Sequence, residues 1–245
     1  MSSTRLYLDA IIEPGSDLEL TGDRARYVGR VLRLRKGDRL NLFDGRGGEY
    51  GADIIRTGKS SVVVQVIEAI EANVESPLDI HLLQGVSRGE RMDVVVQKAT
   101  ELGIHRITPV QTEYTVVRLS GTRAEKRLAH WRGVAASACE QCGRNQLPGI
   151  DPITGLRDWL GQNFGDERRR IVLAPGAGRT IGSLEPPDGR LTVLIGPEGG
   201  LSDDELELAT GAGFEAIGFG PRILRTETAA VAVLSALQVA FGDCG

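Results

Sequence analysis

A glycine-rich loop directly follows an apolar run that is typical of a buried strand. The run LTVLI at 191–195 is succeeded by GPEGG at 196–200, and Ser202 and Glu205 then form the capping-box pattern that starts a helix. Glycine has no Cβ, so it lets a ligand approach the main chain closely. An ordinary turn between a strand and a helix needs fewer glycines. The sequence therefore predicts a ligand-binding loop at 196–200.

A second loop combines glycine, arginine and a carboxylate before the last apolar segment. The loop GPRILRTET at 220–228 precedes AAVAVLSALQVAF, which is apolar nearly all round and predicts a buried helix. Thr226 or Thr228 is a candidate cap for this helix. Placing Arg225 and Glu227 at the start of this buried helix costs desolvation free energy, unless the two side chains pair with each other or take part in binding or catalysis. The residues alone leave both interpretations open, a structural ion pair or a reactive site.

Other patterns of reactive residues give weaker evidence for a binding site. Gly176 and Gly178 follow a candidate strand, but Ile181 stands where a nucleotide-binding loop needs its third glycine. Cys139 and Cys142 supply half of a zinc site, and no second pair of ligands lies at a suitable spacing. We therefore expect neither a phosphate-binding glycine loop nor a bound metal.

The second half of the chain alternates candidate strands with helices. The candidate strands are 78–85, 106–112, 169–175, 191–196 and 215–220. Apolar residues at helical spacing between Met92 and Leu102 predict a helix that Gly103 ends. This order predicts an α/β fold with a mostly parallel sheet and helices on both faces. Ligands on such sheets bind outside the carboxyl ends of the strands, where the glycine-bearing loops lie.

The start of the chain has a different pattern. Up to about residue 70 it consists of short Val/Ile-rich runs between Gly/Asp turns, with one helical stretch near 23–34. This pattern predicts a compact β-barrel-like module. The polar segment IEANVESP at 70–77 is a candidate linker.

Composition and charge restrict the class of protein. The formal net charge is −4, so a nucleic-acid surface must be a local patch. Basic stretches at 24–39 and 123–132 fit either phosphate contacts or solvated helix faces. No apolar run has the length of a membrane span, and the first residues lack the apolar core of a signal peptide. Three cysteines fit a reducing compartment, so we expect a cytoplasmic protein.

Four segments, in this order along the chain, resemble a known family. GVSRGERMDVVVQKATELGI, ACEQCGRNQLP, IGPEGGLSDDE and GFGPRILRTETAAVAVL are similar to the SPOUT-class small-subunit (16S) ribosomal RNA uridine-N3 methyltransferases. The similarity extends over nearly the whole chain, including VLRLRKGD and LFDGRGGEY near its start. Two positions depart from the family: Gln146 replaces a basic residue, and Cys142 replaces a serine.

The resemblance implies an architecture that periodicity alone could not predict. Residues 1–72 are expected to form a PUA-like RNA-binding β-barrel domain. Residues 73–245 are expected to form a SPOUT methyltransferase domain with a trefoil knot around the mostly parallel sheet. The implied partners are 16S rRNA, or the small ribosomal subunit, and a second copy of the chain in a homodimer through the C-terminal domain, with no membrane and no metal.

The resemblance also implies the activity. It indicates S-adenosylmethionine-dependent methylation of N3 of a specific uridine in 16S rRNA, a step of rRNA processing and ribosome biogenesis. Two alternatives stay open. One is a SPOUT methyltransferase that acts on tRNA or on a ribose 2′-hydroxyl. The other is a non-catalytic RNA-binding assembly factor that has kept the fold.

By the same resemblance, loops at 173–175, 195–201 and 218–229 should pack together around a bent S-adenosylmethionine. The implied cofactor-binding residues are Leu173, Pro175, Ile195, Gly196, Gly199, Gly200, Phe219, Gly220, Ile223, Leu224, Thr228 and Ala229. The implied RNA-binding residues are Arg5, Arg24, Arg26, Arg30, Arg33, Arg35, Lys36, Arg88, Arg123 and Arg127.

Methylation at uracil N3 needs a proton acceptor and a cation. Loss of the N3 proton spreads negative charge onto O2 and O4, which a nearby cation stabilises. Arg225 is the first candidate for this cation and Arg144 is the second, with the subunit that contributes Arg144 left open. Glu140 or Glu227 is the candidate proton acceptor. N3 lies on the Watson–Crick edge, so the uridine must be unpaired or extruded to react.

Overall fold

The computed structural model of the chain describes residues 4–162 and 169–245. Contacts between Cα atoms divide it into two compact units. The first unit contains Met1–Glu75 and Cys139–Leu147, and the second contains Ser76–Ala138 and Pro148–Gly245. The short segment 139–147 thus belongs with the start of the chain, although it lies far from it in sequence.

The first unit is built on a five-stranded mixed sheet with the order β1-β3-β4-β5-β2. Its elements are β1 (Arg5–Tyr7), β2 (Asp17–Thr21), α1 (Gly22–Arg26), a π-helix (Tyr27–Val31), β3 (Arg39–Phe43), β4 (Glu49–Thr57) and β5 (Ser61–Ile70). Strand β1 pairs with β3 in parallel, and the other pairs are antiparallel. The predicted β-rich start is confirmed, and the predicted helical stretch begins at Gly22 and ends at Val31.

The second unit is built on a seven-stranded sheet. Its elements are β6 (Ile80–Gly85), α2 (Arg91–Glu101), β7 (Arg106–Gln111), α3 (Gly121–Cys142, whose last four residues belong to the first unit), β8 (Gly149–Ile150), β9 (Thr154–Gly155), α4 (Leu156–Leu160), β10 (Arg169–Leu173), β11 (Leu191–Ile195), α5 (Asp203–Gly211), β12 (Glu215–Ile217) and α6 (Thr226–Phe241). The order is β12-β10-β11-β6-β7-β8, β9 also pairs with β7, and every pair is parallel.

Helices cover both faces of this parallel sheet. Alternate strand residues such as Leu82 and Val193 pack with apolar side chains of α2, α3 and α6. Their neighbours Leu83 and Leu194 face the other way and pack with side chains of α4 and α5. The alternation follows from the two-residue repeat of a strand. All five predicted strands and the predicted α/β layering are confirmed, whereas the trefoil knot stays a prediction.

Helix α6 differs from the buried helix that its composition predicts. One face is buried through residues such as Ala230, Val233 and Leu237, but Val239 on another face is 59% exposed. The prediction that α6 is buried all round is therefore wrong for this single chain. The error arises because α6 has apolar residues on two faces. Composition alone cannot tell which of these faces other parts of the same chain cover. Among the described residues, no helix combines the length and hydrophobicity needed to cross a bilayer.

Candidate active site

The glycine loop at 196–200 is fixed at both ends. Ser202 accepts a hydrogen bond from the backbone N–H of Glu205 at 3.3 Å, and the Glu205 carboxylate accepts one from the N–H of Ser202 at 3.1 Å. The predicted capping box is thus confirmed. Inside the loop, the N–H of Gly200 donates to the carbonyl oxygen of Pro197 at 2.9 Å, and Gly200 has a φ of 76°. That left-handed conformation strongly favours glycine.

The loop lies tightly against the end of β6. A Cβ added at Gly85 would be 2.3 Å from the backbone nitrogen of Pro197. A Cβ added at Gly196 would be 2.8 Å from the carbonyl carbon of Gly200. Neither distance is possible without moving backbone, so both glycines are required for this close approach of main chains.

Thr226 joins the glycine loop to the start of α6. Its hydroxyl donates to the carbonyl oxygen of Gly196 at 2.7 Å and accepts from the side-chain amide of Gln84 at 2.9 Å. The N-cap position of α6 is Arg225, and no side chain caps this helix. The prediction that Thr226 or Thr228 caps α6 is therefore wrong. The Thr226 side chain makes its hydrogen bonds across the site instead.

The loops after β10 and β12 also lie together. The N–H of Ala174 donates to the carbonyl oxygen of Ile217 at 3.0 Å, and the N–H of Gly218 donates to that of Arg179 at 2.8 Å. A Cβ added at Gly218 would be 2.4 Å from the carbonyl oxygen of Ala177. The structure thus brings all three glycine-bearing loops to one edge of the sheet, beyond the carboxyl ends of neighbouring strands.

A cavity of ≈ 300 Å³ opens beside these loops. Three implied cofactor-binding residues line it, namely Phe219, Gly220 and Leu224. Its other lining residues are Thr180, Ile181, Gly182, Gly218 and Arg222. The sequence interpretation missed 180–182, where a capping box between Thr180 and Ser183 starts a short 3-10 turn. The Thr-x-x-Ser spacing after a strand was a signal that could have found this turn.

The remaining implied cofactor-binding residues occupy different environments. Ile195 and Ala229 are buried, Leu173, Gly196 and Gly200 are half-buried, and Pro175, Gly199 and Thr228 are exposed. The side chain of Ile223 is 86% exposed, and it does not line the cavity.

Arg225 and Glu227 do not form the structural pair that was one interpretation of their spacing. Arg225 is exposed, and its guanidinium has no ion-pair partner among the residues that the structure describes. Glu227 instead lies with Oε1 3.7 Å from Nε of Arg91. Its Oε2 is buried and has no hydrogen-bond partner within the described chain.

Arg91 also binds Glu198 of the glycine loop. Its Nη1 donates to Oε1 of Glu198 at 2.5 Å, and the same oxygen accepts from the N–H of Arg88 at 2.9 Å. Burial would raise the pKa of Glu198, but hydrogen bonds from the N–H of Arg88, from its own N–H and from Arg91 hold this pKa below its ordinary value. Glu198 is therefore an ionised anchor that ties the glycine loop to the start of α2.

Arg144 and Glu140 both lie in the first unit. Arg144 is buried, and its Nη2 is 2.7 Å from Oε2 of Glu75 in the segment interpreted as a linker. Glu140 accepts a hydrogen bond from the N–H of Tyr7 at 3.0 Å. Burial raises the pKa of Glu140, although the Tyr7 hydrogen bond and nearby arginines oppose the rise. Each of these two side chains already has a partner inside its unit.

The implied RNA-binding residues fall into two groups. Arg5 is largely buried, and its guanidinium donates to Glu49, to Asn145 and to the carbonyl oxygen of Arg144, so it is not free. The other nine are exposed: Arg24, Arg26, Arg30, Arg33, Arg35, Lys36, Arg88, Arg123 and Arg127.

Part of the exposed group surrounds a cleft of ≈ 590 Å³ in the first unit. Arg26, Arg30, Arg33 and Arg35 line it together with Lys59, and no acidic side chain of the described residues does. Arg33 has a φ of 56°, and it is the one non-glycine residue with positive φ in the described chain.

In the part of the chain that the structure describes, the cysteines do not lie in a cluster of metal ligands. Cys139 is buried, and its thiol donates to the carbonyl oxygen of Gln146 at 3.6 Å. A hydrogen bond with the Cys142 side chain and burial raise the pKa of the Cys139 thiol far above its ordinary value. Within 4–162 and 169–245 the structure contains no group of three or more residues that could hold a metal ion.

Comparison with known proteins identifies the family. The model of the RNA methyltransferase domain matches residues 74–238, and that of the RNA methyltransferase PUA domain matches residues 20–67. The chain is 35% identical to the ribosomal RNA small subunit methyltransferase E of Buchnera aphidicola subsp. Schizaphis graminum, over 98% of this chain and 97% of the relative. The chain belongs to this RNA methyltransferase family.

Two solved structures of related methyltransferases support the same fold. The methyltransferase from Legionella pneumophila in complex with the bound cofactor SAM is 40% identical, has a TM-score of 0.94, and is matched over 99% of this chain and 100% of its own. The ribosomal RNA small subunit methyltransferase E from Neisseria gonorrhoeae bound to S-adenosylmethionine is 36% identical, has a TM-score of 0.93, and is matched over 100% of each chain. The predicted methyltransferase fold with a PUA domain is therefore confirmed.

Proposed function

We propose that this RNA methyltransferase transfers a methyl group from S-adenosylmethionine to N3 of a specific uridine in the 16S rRNA of the small ribosomal subunit. One observation carries the proposal. Three glycine-bearing loops meet at the carboxyl edge of a parallel sheet, and the bond between Thr226 and Gly196 holds two of them together. The names of the similar proteins, which are small-subunit rRNA methyltransferases or structures with bound S-adenosylmethionine, support it.

The residues present fit S-adenosylmethionine. Gly200 and Gly220 have left-handed φ values of 76° and 70°. At Gly220 an added Cβ would meet no atom within 4 Å, so the main chain is open on that side. Main-chain groups of the three loops, with Phe219 and Leu224 of the cavity, would hold the adenine and ribose, and 180–182 would complete the wall. The bound cofactor would supply an activated methyl on its sulfonium.

The proton acceptor that this arrangement favours is Glu227. Its Oε2 is buried without a partner in the described chain, whereas the Glu140 carboxylate already accepts from the N–H of Tyr7. For the cation that stabilises the uracil anion, the structure favours Arg225, because this N-cap residue of the same helix is exposed and has no ion-pair partner in the described part of the chain. Arg144 is the weaker candidate, since its guanidinium is buried against Glu75.

Three further parts of the proposal concern the setting of the reaction. The basic cleft of the first unit would contact RNA phosphates. The exposed cations Arg24, Lys36, Arg123 and Arg127 would make further phosphate contacts. A homodimer through the C-terminal domain would cover apolar residues such as Val239. The setting would be the cytoplasm.

Nucleoside analysis tests the proposed function. We expect 16S rRNA from a strain lacking this gene to have lost one 3-methyluridine, and the purified chain with S-adenosylmethionine to restore it. Persistence of the 3-methyluridine would refute the substrate. Absence of S-adenosylmethionine binding in calorimetry at high micromolar concentration would refute the enzyme and leave the assembly-factor alternative.

A further inference from the structure

A second pocket, of ≈ 450 Å³, lies at the start of α6. Its walls are Arg88, Gly89, Glu90, Arg91, Val94 and Glu227. It shares no lining residue with the cavity beside the glycine loops. Two arginines and two glutamates, Glu90 and Glu227, therefore line this second open space.

Arg88 presents an uncommitted side chain to this pocket. Its backbone N–H is bound to Glu198, which fixes the main chain at this point. The side chain is exposed, and its guanidinium has no ion-pair partner among the described residues. Arg88 thus offers several N–H donors in a planar fork that matches paired acceptors.

Arg91, Glu227 and Glu90 supply the rest of the polar surface. Nη1 of Arg91 is bound to Glu198 and its Nε lies 3.7 Å from Glu227, so the guanidinium is held in place from two sides. Oε2 of Glu227 is buried and unpaired within the described chain. A buried carboxylate oxygen without a donor is costly, and a ligand N–H would remove that cost.

We propose that this pocket binds the Watson–Crick edge of the target uracil. The inference rests on the proposed function and names its base-recognition site. That edge of uracil has the acceptors O2 and O4 on either side of the donor N3–H. Arg88 and Arg91 supply the donors, Glu227 supplies the acceptor, and the exposed Glu90 is a second carboxylate of the pocket. Cytosine would turn an unprotonated nitrogen towards Glu227 and an amino group towards an arginine, so its binding would be weaker.

The same contacts place the groups that the reaction needs. Oε2 of Glu227 accepts the N3 proton, and the arginines stabilise the negative charge on O2 and O4. The N3 lone pair then forms the new N–C bond, while the S–C bond of S-adenosylmethionine breaks and its electron pair stays on sulfur. The proton on Glu227 passes to water.

The test compares variants on small ribosomal subunits purified from a strain that lacks the enzyme. Arg88→Met removes a surface charge, and we expect it to lower kcat/KM for subunits by at least about tenfold. Glu227→Gln keeps the shape but cannot take the proton, and we expect kcat to fall by about 100-fold. Both variants should keep the wild-type affinity for S-adenosylmethionine in calorimetry. Arg157→Met, which removes an exposed arginine of α4, is the matched control and should behave as wild type.

Three outcomes would refute the proposal that this pocket binds the target uracil. The first is an Arg88→Met variant indistinguishable from Arg157→Met. The second is a loss of turnover matched by an equal loss of cofactor affinity. The third is a Glu227→Gln enzyme that folds, by its melting temperature, and keeps wild-type kcat. Each of these leaves the proposed function intact if the wild-type protein forms 3-methyluridine. If it does not, both proposals fall.

Discussion

The hydroxyl of Thr226 donates a hydrogen bond to the carbonyl oxygen of Gly196 at 2.7 Å, and this bond spans 30 positions of the chain. It fixes the first residue of α6 against the glycine loop that follows β11. Because Gln84 of β6 donates to the same hydroxyl, three separate elements meet at one buried oxygen atom. The shape of the proposed cofactor site therefore depends on Thr226. The residues next to Thr226 along the chain gave no sign of this role.

Replacing Thr226 with valine should damage the fold and the cofactor site together. The change leaves the Gly196 carbonyl and the Gln84 amide without their partner, which costs about 1–3 kcal/mol of unfolding free energy. We expect a lower melting temperature and weaker binding of S-adenosylmethionine in calorimetry. Thr226→Ser keeps the hydroxyl and is the control. A valine variant with wild-type cofactor affinity would show that the bond does not shape the site.

Gly200→Ala should reveal the cost of the left-handed turn. The φ of Gly200 is 76°, and an added Cβ would meet no atom within 4 Å, so the change tests conformation without a clash. We expect a loss of about 1–2 kcal/mol of unfolding free energy in urea titrations. Gly178→Ala, at an equally open glycine without positive φ, is the matched control. Equal effects of the two substitutions would contradict this account.

Arg144→Met should destabilise the first unit by about 3–5 kcal/mol, because Glu75 is left buried without its charged partner. The side chains of this pair are 3% and 9% exposed. Adding Glu75→Gln removes the orphaned charge and keeps an acceptor for the N–H groups of Asn145 and Gln146, so we expect much of the stability to return. Methyl transfer by the double variant should return with it. A stable but inactive double variant would instead place Arg144 in contact with substrate.

Glu198 should make stability depend on acid pH. Its pKa is held below the ordinary value of 4.5 in the folded chain, so its contribution is present above pH 4.5 and is lost as the pH falls through the folded pKa. Glu198→Gln removes the titration. The difference in melting temperature between wild type and this variant should therefore shrink as the pH drops below 4.5. A difference that stays constant through that range would show that Glu198 titrates normally.

The basic cleft of the first unit should set the salt dependence of RNA binding. Arg30→Ala and Arg35→Ala each remove one cation from the ≈ 590 Å³ cleft. We expect each to lower the slope of log affinity against log salt by about 1, measured by fluorescence titration with an rRNA fragment. Arg157→Ala serves as the control. Salt slopes equal to that of the control would show that the phosphate contacts lie outside this cleft.

Local interactions explain most of what the sequence predicted correctly. The strands follow from apolar runs, the helix after Ser202 from a capping box, and the left-handed turns from glycine, all of which involve residues a few positions apart. These signals placed the ligand loops at the carboxyl ends of β10, β11 and β12. The segment at 180–182 was missed because its contribution depends on how the chain after β10 folds back against 218–220.

The sequence by itself thus determined the order of elements, the parallel sheet and the loops that carry glycine. Only the tertiary structure decided which charged side chains are free. Arg144 and Arg5 were candidates for catalysis and for RNA binding, yet they are held by Glu75 and Glu49, which lie 69 and 44 positions away. Within residues 4–162 and 169–245, Arg88 and Glu227 keep unpaired groups beside one pocket. Desolvation and ion pairing act through space, so the availability of a charge depends on partners that spacing along the chain does not reveal.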